Sequence, residues 1–239
     1  MKIADSSVLI TGGAQRIGAV LVRTFAAAGA RVIIHCNHSL ASARELLEEI
    51  GGENAGHAVI CCDLAHPENI PAMFNDVPRD VSILVNNAST FNRQDIIHEN
   101  LSVSKEQFDL NFWTPVEMMR TFYQHSIPPE LSVVNLLDQA IVRPSADSFS
   151  YSLSKKALAE ATRCAALQYA PRMRVNGLAP GPVFPPRGLE HLKMEKTLKT
   201  LPLGRPVNVQ DLADACVMLA GNSSMTGSVM FVDCGQSLL

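Results

Sequence analysis

The sequence predicts an α/β chain, a doubly wound parallel sheet of about seven strands with helices on both faces, and three observations predict it. Short apolar runs rich in β-branched residues recur along the chain, segments of helical apolar period lie between them, and a glycine-rich turn joins the first run to the first helix. The runs are Val8–Ile10, Val32–Ile34, Ala58–Ile60, Ile83–Val85, Val133–Val134, Arg174–Val175 and Val229–Val232.

Taken in order, the first run feeds Thr11-Gly12-Gly13-Ala14-Gln15-Arg16-Ile17-Gly18, and a helical pattern then covers Ile17 to Ala28 and stops at Gly29. The second run precedes a helix over Ser39 to Ile50, with Ser39 as its N-cap and Gly51 as its stop. Strands that alternate with helices pair in parallel, because each helix carries the chain back to the same edge. Ligands of such sheets sit outside the carboxyl ends of the strands, so function is expected in the loops that follow them. The weakly patterned stretch from Gly177 to Leu192 holds Pro180, Pro182, Pro185 and Pro186. It is expected to form a substrate lid, spanning about 178–200, in preference to an ordinary surface loop.

The 239 residues carry 20 Lys+Arg against 23 Asp+Glu, a net charge of −3 that gives no basis for binding nucleic acid. Hydrophobic residues make up 47% and charged residues 18%, the balance of a folded chain, and without a linker or repeat a single domain over 1–239 is expected. Asp5 precedes an N-terminal apolar run that ends at Ile10, which does not suit a signal peptide. The longest uncharged stretch, Ala215 to Val232, is broken by Gly221, Asn222, Ser223, Ser224 and Thr226. A bilayer span needs roughly 20 apolar residues. No membrane association is expected, and the cytoplasm is the expected location. Six scattered cysteines without a CxxC read as reduced thiols, and seven histidines without HxxxH or HxH spacing give no metal site.

The turn after the first strand lets the backbone approach a pyrophosphate, and the helix start supplies N–H donors and partial positive charge. Gly12, Gln15, Arg16, Ile17 and Gly18 are therefore candidate dinucleotide contacts. A site built for NAD places an acid about 20 residues further on to hold the ribose 2′-OH. That place here reads His35-Cys36-Asn37-His38-Ser39, without a carboxylate. Asn37, His38 and Ser39, with Arg16, suit a 2′-phosphate instead, which favours NADPH. After the third strand, Asp63-Leu64 is placed to meet an adenine, or equally for Asp63 to cap a helix before Pro67. The fourth strand ends in Asn86-Asn87-Ala88-Ser89-Thr90-Phe91, small polar residues that let a cofactor pass close. Tyr151-Ser152-Leu153-Ser154-Lys155 sets an ammonium beside a phenol on one helix face. The expectation is a phenol of lowered pKa that delivers a proton as hydride arrives, with Lys155 also gripping the ribose.

Together these residues resemble the short-chain dehydrogenase/reductase family over essentially the whole chain, with TGxxxGxG at Thr11 to Gly18, NNA at Asn86 to Ala88, Asn111, Tyr151, Lys155, and Pro180-Gly181. The resemblance implies a Rossmann-type fold, with Asn111, Tyr151 and Lys155 catalytic and Asn111 holding a water in the proton relay. It also implies cofactor contacts at Asn87, Ala88, Ser89, Pro180, Gly181 and Val183. A homotetramer or homodimer paired through the helices around Asn111 and Tyr151 is implied as well.

Two departures narrow the resemblance. Arg16 replaces the middle glycine of the loop, and Asp138 stands where the family's catalytic serine is expected, thirteen residues before Tyr151. An ionised Asp repels the oxyanion of a ketone reduction but suits a nitrogen that must gain a proton. Both departures, with Ser89 and Phe91, are similar to the pteridine reductase branch, which includes dihydromonapterin reductases. That branch implies Phe91 stacking on a pterin, although a core aromatic is the alternative by sequence. It assigns Ser89 and Arg16 to the pterin edge or cofactor phosphates and Asp138 with Tyr151 to proton delivery, and Phe184 is a further candidate substrate contact. His38 stands where the branch often has Arg, and Cys234 where glycine is more usual. The expected activity is hydride transfer from NADPH to a pterin-like C=N bond. The alternatives are an NADPH-dependent carbonyl reductase of 3-oxoacyl thioester type and a non-catalytic NADPH sensor.

Overall fold

In the computed structural model, which describes residues 1–185 and 198–239, all seven expected strands form one sheet: β1 (Ser7–Ile10), β2 (Arg31–Cys36), β3 (Ala58–Cys61), β4 (Ile83–Asn86), β5 (Leu131–Leu136), β6 (Met173–Pro180) and β7 (Val229–Val232). Their order is β3-β2-β1-β4-β5-β6-β7, and every pairing is parallel. The order reverses between β1 and β4, so the loops leaving these two strands open a crevice at the sheet's carboxyl edge.

Strand residues alternate between the two faces. Val8 and Ile10 enter one core with Leu21, Val22 and Phe25 of α1 (Arg16–Ala27) and Leu212 and Leu219 of α7 (Val209–Gly221). Leu46 and Leu47 of α2 (Leu40–Glu49) close its end. Leu9, Leu84 and Val133 face the other way, onto Ile70 of the short α3 (Ile70–Met73) and Met118 and Phe122 of α5 (Thr114–His125). The fully buried Phe25 and Phe122 each contribute roughly 1.5–3 kcal/mol by leaving water. The remaining long helices are α4 (Leu101–Phe108) and α6 (Phe149–Tyr169). Among the described residues no helix is long and apolar enough to cross a membrane.

Local signals behave mostly as the sequence implies. Gly29 and Gly51 follow α1 and α2 in left-handed backbone, at φ +87° and +113°. Ser39 occupies the N-cap of α2, but its side chain makes no capping bond. The stretch read as a lid requires correction at its start: 177–180 completes β6, because the backbone pairs with both β5 and β7. Residues 186–197, most of that expected lid, lie outside the described residues.

Between α4 and α5 the chain runs as a π-helical segment, Asp109–Trp113, with Asn111 buried at its centre. The extra residue in that turn aims Asn111 at the loop after β4.

Candidate active site

The crevice begins with the turn after β1. Gly12 has φ +61°, and a Cβ on Gly18 would lie 2.0 Å from the Gly12 carbonyl oxygen, so the turn closes on the helix start only with glycine there. Thr11 ties this turn to the loop after β4: its Oγ1 accepts from the amides of Asn87 at 2.9 Å and Ala88 at 3.0 Å. The Asn87 carboxamide donates back to the carbonyls of Thr11 at 2.9 Å and Gly12 at 3.0 Å. Beneath the turn lies His35, a residue the motif reading passed over. Its Nδ1 accepts from the Gly12 amide at 3.1 Å and its Nε2 bonds the Cys62 carbonyl at 3.0 Å. Burial lowers its pKa to about 4, the nearby carbonyl and Asp63 opposing the shift. The signal was legible as a polar residue inside the apolar run Val32–Cys36.

A cavity of about 300 Å³ opens over the turn. Gly12, Gln15, Arg16, Ile17 and Gly18 line it, as do Asn37, Ser39, Asn87, Ala88 and Ser89, all expected to meet the dinucleotide. Ala14 and Cys36 join them unforeseen. Among the described residues no carboxylate lines this cavity, and the start of α1 faces it, which is the donor chemistry a phosphate-rich dinucleotide needs. Three expected residues do not line it. His38 is exposed beside it, and the Leu64 side chain is buried in the core. Asp63 is not a helix cap, because its Oδ1 instead accepts from the Asn37 carboxamide at 3.1 Å and the Ala65 amide at 2.9 Å.

A second cavity of about 210 Å³ continues from the first and shares Arg16, Ile17, Asn87 and Ser89 with it. Asp138, Tyr151 and Lys155 line it, with Pro180, Gly181, Val183 and Phe184. A Cβ on Gly181 would meet the Asp233 backbone at 2.7 Å, which explains the glycine after Pro180.

At the cavity's centre the Tyr151 hydroxyl donates to Asp138 Oδ2 at 2.9 Å, and Asp138 Oδ1 accepts from the Ala140 amide at 2.8 Å. Burial raises the Asp138 pKa, against the Ala140 N–H, the Tyr151 hydroxyl and the charges of Lys155 and Arg143. One expectation is corrected here. Burial and the adjoining Asp138 raise the Tyr151 pKa instead of lowering it, and the Lys155 ammonium donates to the Leu136 carbonyl at 2.8 Å. Burial also lowers the Lys155 pKa to about 8, with the Asp138 charge opposing.

Phe91 is 51% exposed and sets its ring edge-on to Tyr151, with centroids 4.7 Å apart. It therefore belongs to the site wall and not to the core. Asn111 Oδ1 accepts from Ser89 Oγ and the Thr90 amide, both at 2.9 Å. Its amide group donates to the Thr90 carbonyl at 2.9 Å and to Ser154 Oγ at 3.3 Å, so Asn111 pins the loop after β4 to α6. Arg16 adopts φ +52° in the place of the missing glycine. Its guanidinium sits over the Phe184 ring, 5.3 Å from the centroid, and donates to the Pro185 carbonyl at 3.0 Å.

Among the described residues no group of His, Cys, Asp or Glu is arranged to hold a metal ion. A further cavity, about 690 Å³, lies away from the site against Trp113 and Lys105.

Residues 12–237 match the family model described as enoyl-(acyl carrier protein) reductase. The chain is 30% identical over 250 residues to an L-xylulose reductase of Bos taurus, covering 98% of each. Among solved structures it is similar to FolM alternative dihydrofolate reductase 1 from Brucella canis complexed with NADP, at TM-score 0.89 and 32% identity, covering 100% of this chain and 97% of that one. It is also similar to a blue fluorescent protein from a metagenomic library in complex with NADPH, at TM-score 0.89 and 26% identity, covering 98% and 99%. With the parallel seven-stranded sheet, the glycine turn and the Tyr151–Lys155 helix in place, the match over nearly its full length makes the chain a member of the short-chain dehydrogenase/reductase family of oxidoreductases.

Proposed function

We propose that this chain is an NADPH-dependent reductase that acts on a pterin-like C=N bond. The 2.9 Å bond between the Tyr151 hydroxyl and Asp138 carries the reading. Reduction at C=N requires a proton on nitrogen. A carboxyl group whose pKa burial raises, bonded to a phenol, is a suitable partner for that proton transfer. Bound in the cavity over the glycine turn, NADPH supplies the hydride. Gly12, Gln15, Ile17, Gly18, Ser39 and Asn87 to Ser89 hold the dinucleotide, and Lys155 anchors it near Tyr151. Asp138 holds the proton, Tyr151 passes it toward the substrate nitrogen, and Phe91 offers a ring face to a planar heterocycle. The likeness to an alternative dihydrofolate reductase complexed with NADP supports both substrate class and cofactor.

A carbonyl reductase is the second reading, because a protonated Asp138 also has a hydrogen bond to give an oxyanion. The L-xylulose reductase relative favours it. Against it, the Ser89 hydroxyl that would assist such an oxyanion already donates to Asn111. A non-catalytic NADPH sensor leaves the Asp138–Tyr151 pair without purpose. Apolar side chains exposed on α4 and α6, Leu101, Leu153 and Leu167, with Trp113 between α4 and α5, support a homotetramer or homodimer paired through those helices. Six free thiols support the cytoplasm as its location.

The deciding assay follows NADPH oxidation with dihydrobiopterin, dihydromonapterin, dihydrofolate and an acetoacetyl thioester, wild type beside Asp138→Ala. Turnover of the C=N substrates that is lost in the variant is the expected result. Turnover of the thioester alone, or indifference to Asp138→Ala, overturns the reading in favour of a carbonyl reductase.

A further inference from the structure

Two cysteines, Cys36 and Cys61, stand directly paired in the parallel ladder of β2 and β3, at the carboxyl ends of both strands. Paired positions of neighbouring strands point to the same face of a sheet. Here it is the face covered by α1 and α2: Cys36 is buried in that core, and Val59, two residues before Cys61, packs against it. Neighbouring strands run about 4.8 Å apart, within the Cα separation of roughly 4.4–6.8 Å that a disulfide spans. The settings of the two thiols differ. Cys61 is exposed on the edge strand, whereas Cys36 is buried and lines the dinucleotide cavity beside Asn37 and Ser39. Burial raises the Cys36 pKa to about 11, and the neighbouring Cys61 thiol adds to the rise. Cys61 is therefore the thiol that a solute meets first, and Cys36 the one that waits behind it.

The same pair holds the cavity wall. Cys61 Sγ donates to the Asn37 carbonyl at 3.0 Å, the Cys62 amide donates to the Cys36 carbonyl at 3.1 Å, and the Asn37 carboxamide donates to Asp63 Oδ1 at 3.1 Å. These bonds fasten the ends of β2 and β3 around the turn that carries Asn37 and Ser39 into the wall. A bridge between Cys36 and Cys61 removes the donor to Asn37 and draws the two Cβ atoms from about the strand spacing to about 3.5–4.5 Å. As the edge of the sheet, β3 gives way, and the turn shifts with it.

We propose that Cys36 and Cys61 are a site of thiol–disulfide exchange with a low-molecular-weight disulfide such as oxidised glutathione, and that the bridge they form loosens the dinucleotide. Cys61 gives up its proton and attacks one sulfur of the small disulfide, breaking that S–S bond and releasing a first small thiol. Cys36 then gives up its proton and attacks the Cys61 sulfur, forming the Cys36–Cys61 bond and releasing the second. Two protein thiols are oxidised, one small disulfide is reduced to two thiols, and both protons leave on those thiols. Oxidation thereby weakens the hold on NADPH, and by linkage bound NADPH disfavours the bridge by the same factor. None of this depends on which substrate the hydride reaches.

The test equilibrates reduced wild type, Cys61→Ser and Cys36→Ala with glutathione disulfide, with and without saturating NADPH, and maps the unreduced peptides by mass spectrometry. A Cys36–Cys61 bridge is expected in wild type, a stalled glutathione adduct on Cys61 in Cys36→Ala, and no bridge in Cys61→Ser. Cys164, also exposed, lies on α6 and takes its adduct equally in all three proteins. NADPH affinity, by fluorescence titration, is expected to fall at least about fivefold in bridged wild type, the low end of ordinary coupling between two sites. It should return with dithiothreitol and ignore the oxidant in Cys61→Ser, and saturating NADPH should suppress the bridge by a matching factor. A bridge to Cys62 instead, a wild type that stops at the adduct on Cys61 or leaves both thiols free, or a bridged protein of undiminished affinity each overturns the proposal. Should Cys36→Ala fail to fold, the peptide map and affinity of wild type beside Cys61→Ser decide the matter without it.

Discussion

The Gly12 amide donates to Nδ1 of His35, so the backbone of the dinucleotide turn rests on an imidazole that can accept only while it is neutral. The Cys62 carbonyl on the other ring nitrogen fixes the proton on Nε2. Above about pH 6.5 the ring is neutral both folded and unfolded. As the pH falls from 6.5 toward 4, the unfolded chain takes up a proton that the folded one refuses. Stability should therefore fall through that window by on the order of 3 kcal/mol. Urea unfolding at pH 7.5 and pH 4.5 should show the loss in wild type and a smaller one in His35→Asn. His57, whose Nδ1 accepts from the Val32 amide and whose pKa is also lowered by burial, contributes in the same direction and remains in the variant.

Tyr151→Phe removes one hydroxyl and keeps the ring that packs on Phe91. Its kcat should drop by about 10²–10⁴, the usual worth of a positioned proton donor. NADPH affinity, measured by fluorescence titration, should change by less than about threefold, because the dinucleotide cavity has no wall from Tyr151.

Asp138→Ser keeps an oxygen able to accept from the Ala140 amide but removes the carboxyl proton. Activity on a C=N substrate should fall, and activity on an acetoacetyl thioester should rise. In wild type, the C=N rate should decline with rising pH as Asp138 ionises, from a midpoint above the ordinary aspartate value because burial raises it. A profile unchanged in Asp138→Asn would remove Asp138 from the proton path.

Gly18→Ala and Arg16→Gly should have opposite effects on the same turn. A Cβ at position 18 meets the Gly12 carbonyl at 2.0 Å, a backbone clash that should cost roughly 3 kcal/mol and abolish NADPH binding. Arg16 holds φ +52°, a conformation that costs an L-residue about 1–2 kcal/mol, so glycine there should leave the melting temperature unchanged or raise it. The same variant loses the contact to Phe184 and the bond to Pro185, and its KM for substrate should rise.

Strand count, strand direction and the glycine turn were legible because each is a pattern along the chain: continuous apolar, β-branched runs alternating with helical segments, and glycines where only glycine fits. The pairing of Tyr151 with Asp138 was implied only by the family resemblance, which expects a catalytic residue thirteen positions before Tyr151, and the two side chains do meet. The direction of the Tyr151 shift was not legible. It depends on the dielectric around the phenol and on Lys155 turning to the Leu136 carbonyl, which a helical spacing of four does not encode. The role of His35 escaped for a related reason: it is set by what the rest of the fold places against the ring, the Gly12 amide on one nitrogen and the Cys62 carbonyl on the other. The start of the Gly177–Leu192 reading failed differently, because prolines and glycines that look irregular in sequence still pair at 177–180 once β5 and β7 flank them.

The π-helical turn at Asp109–Trp113 also sets a rotational phase. An α-helix advances about 100° per residue, so the one surplus residue there fixes the angular offset between α4 and α5. Deleting it would produce a more regular rod with better backbone bonds. It would also swing everything on one side by about a quarter turn, taking the Asn111 carboxamide off Ser89 and Thr90 or else lifting Met118 and Phe122 out of the core. This stretch should therefore accept many substitutions at its exposed positions and almost no change in length, the reverse of what a surface loop tolerates.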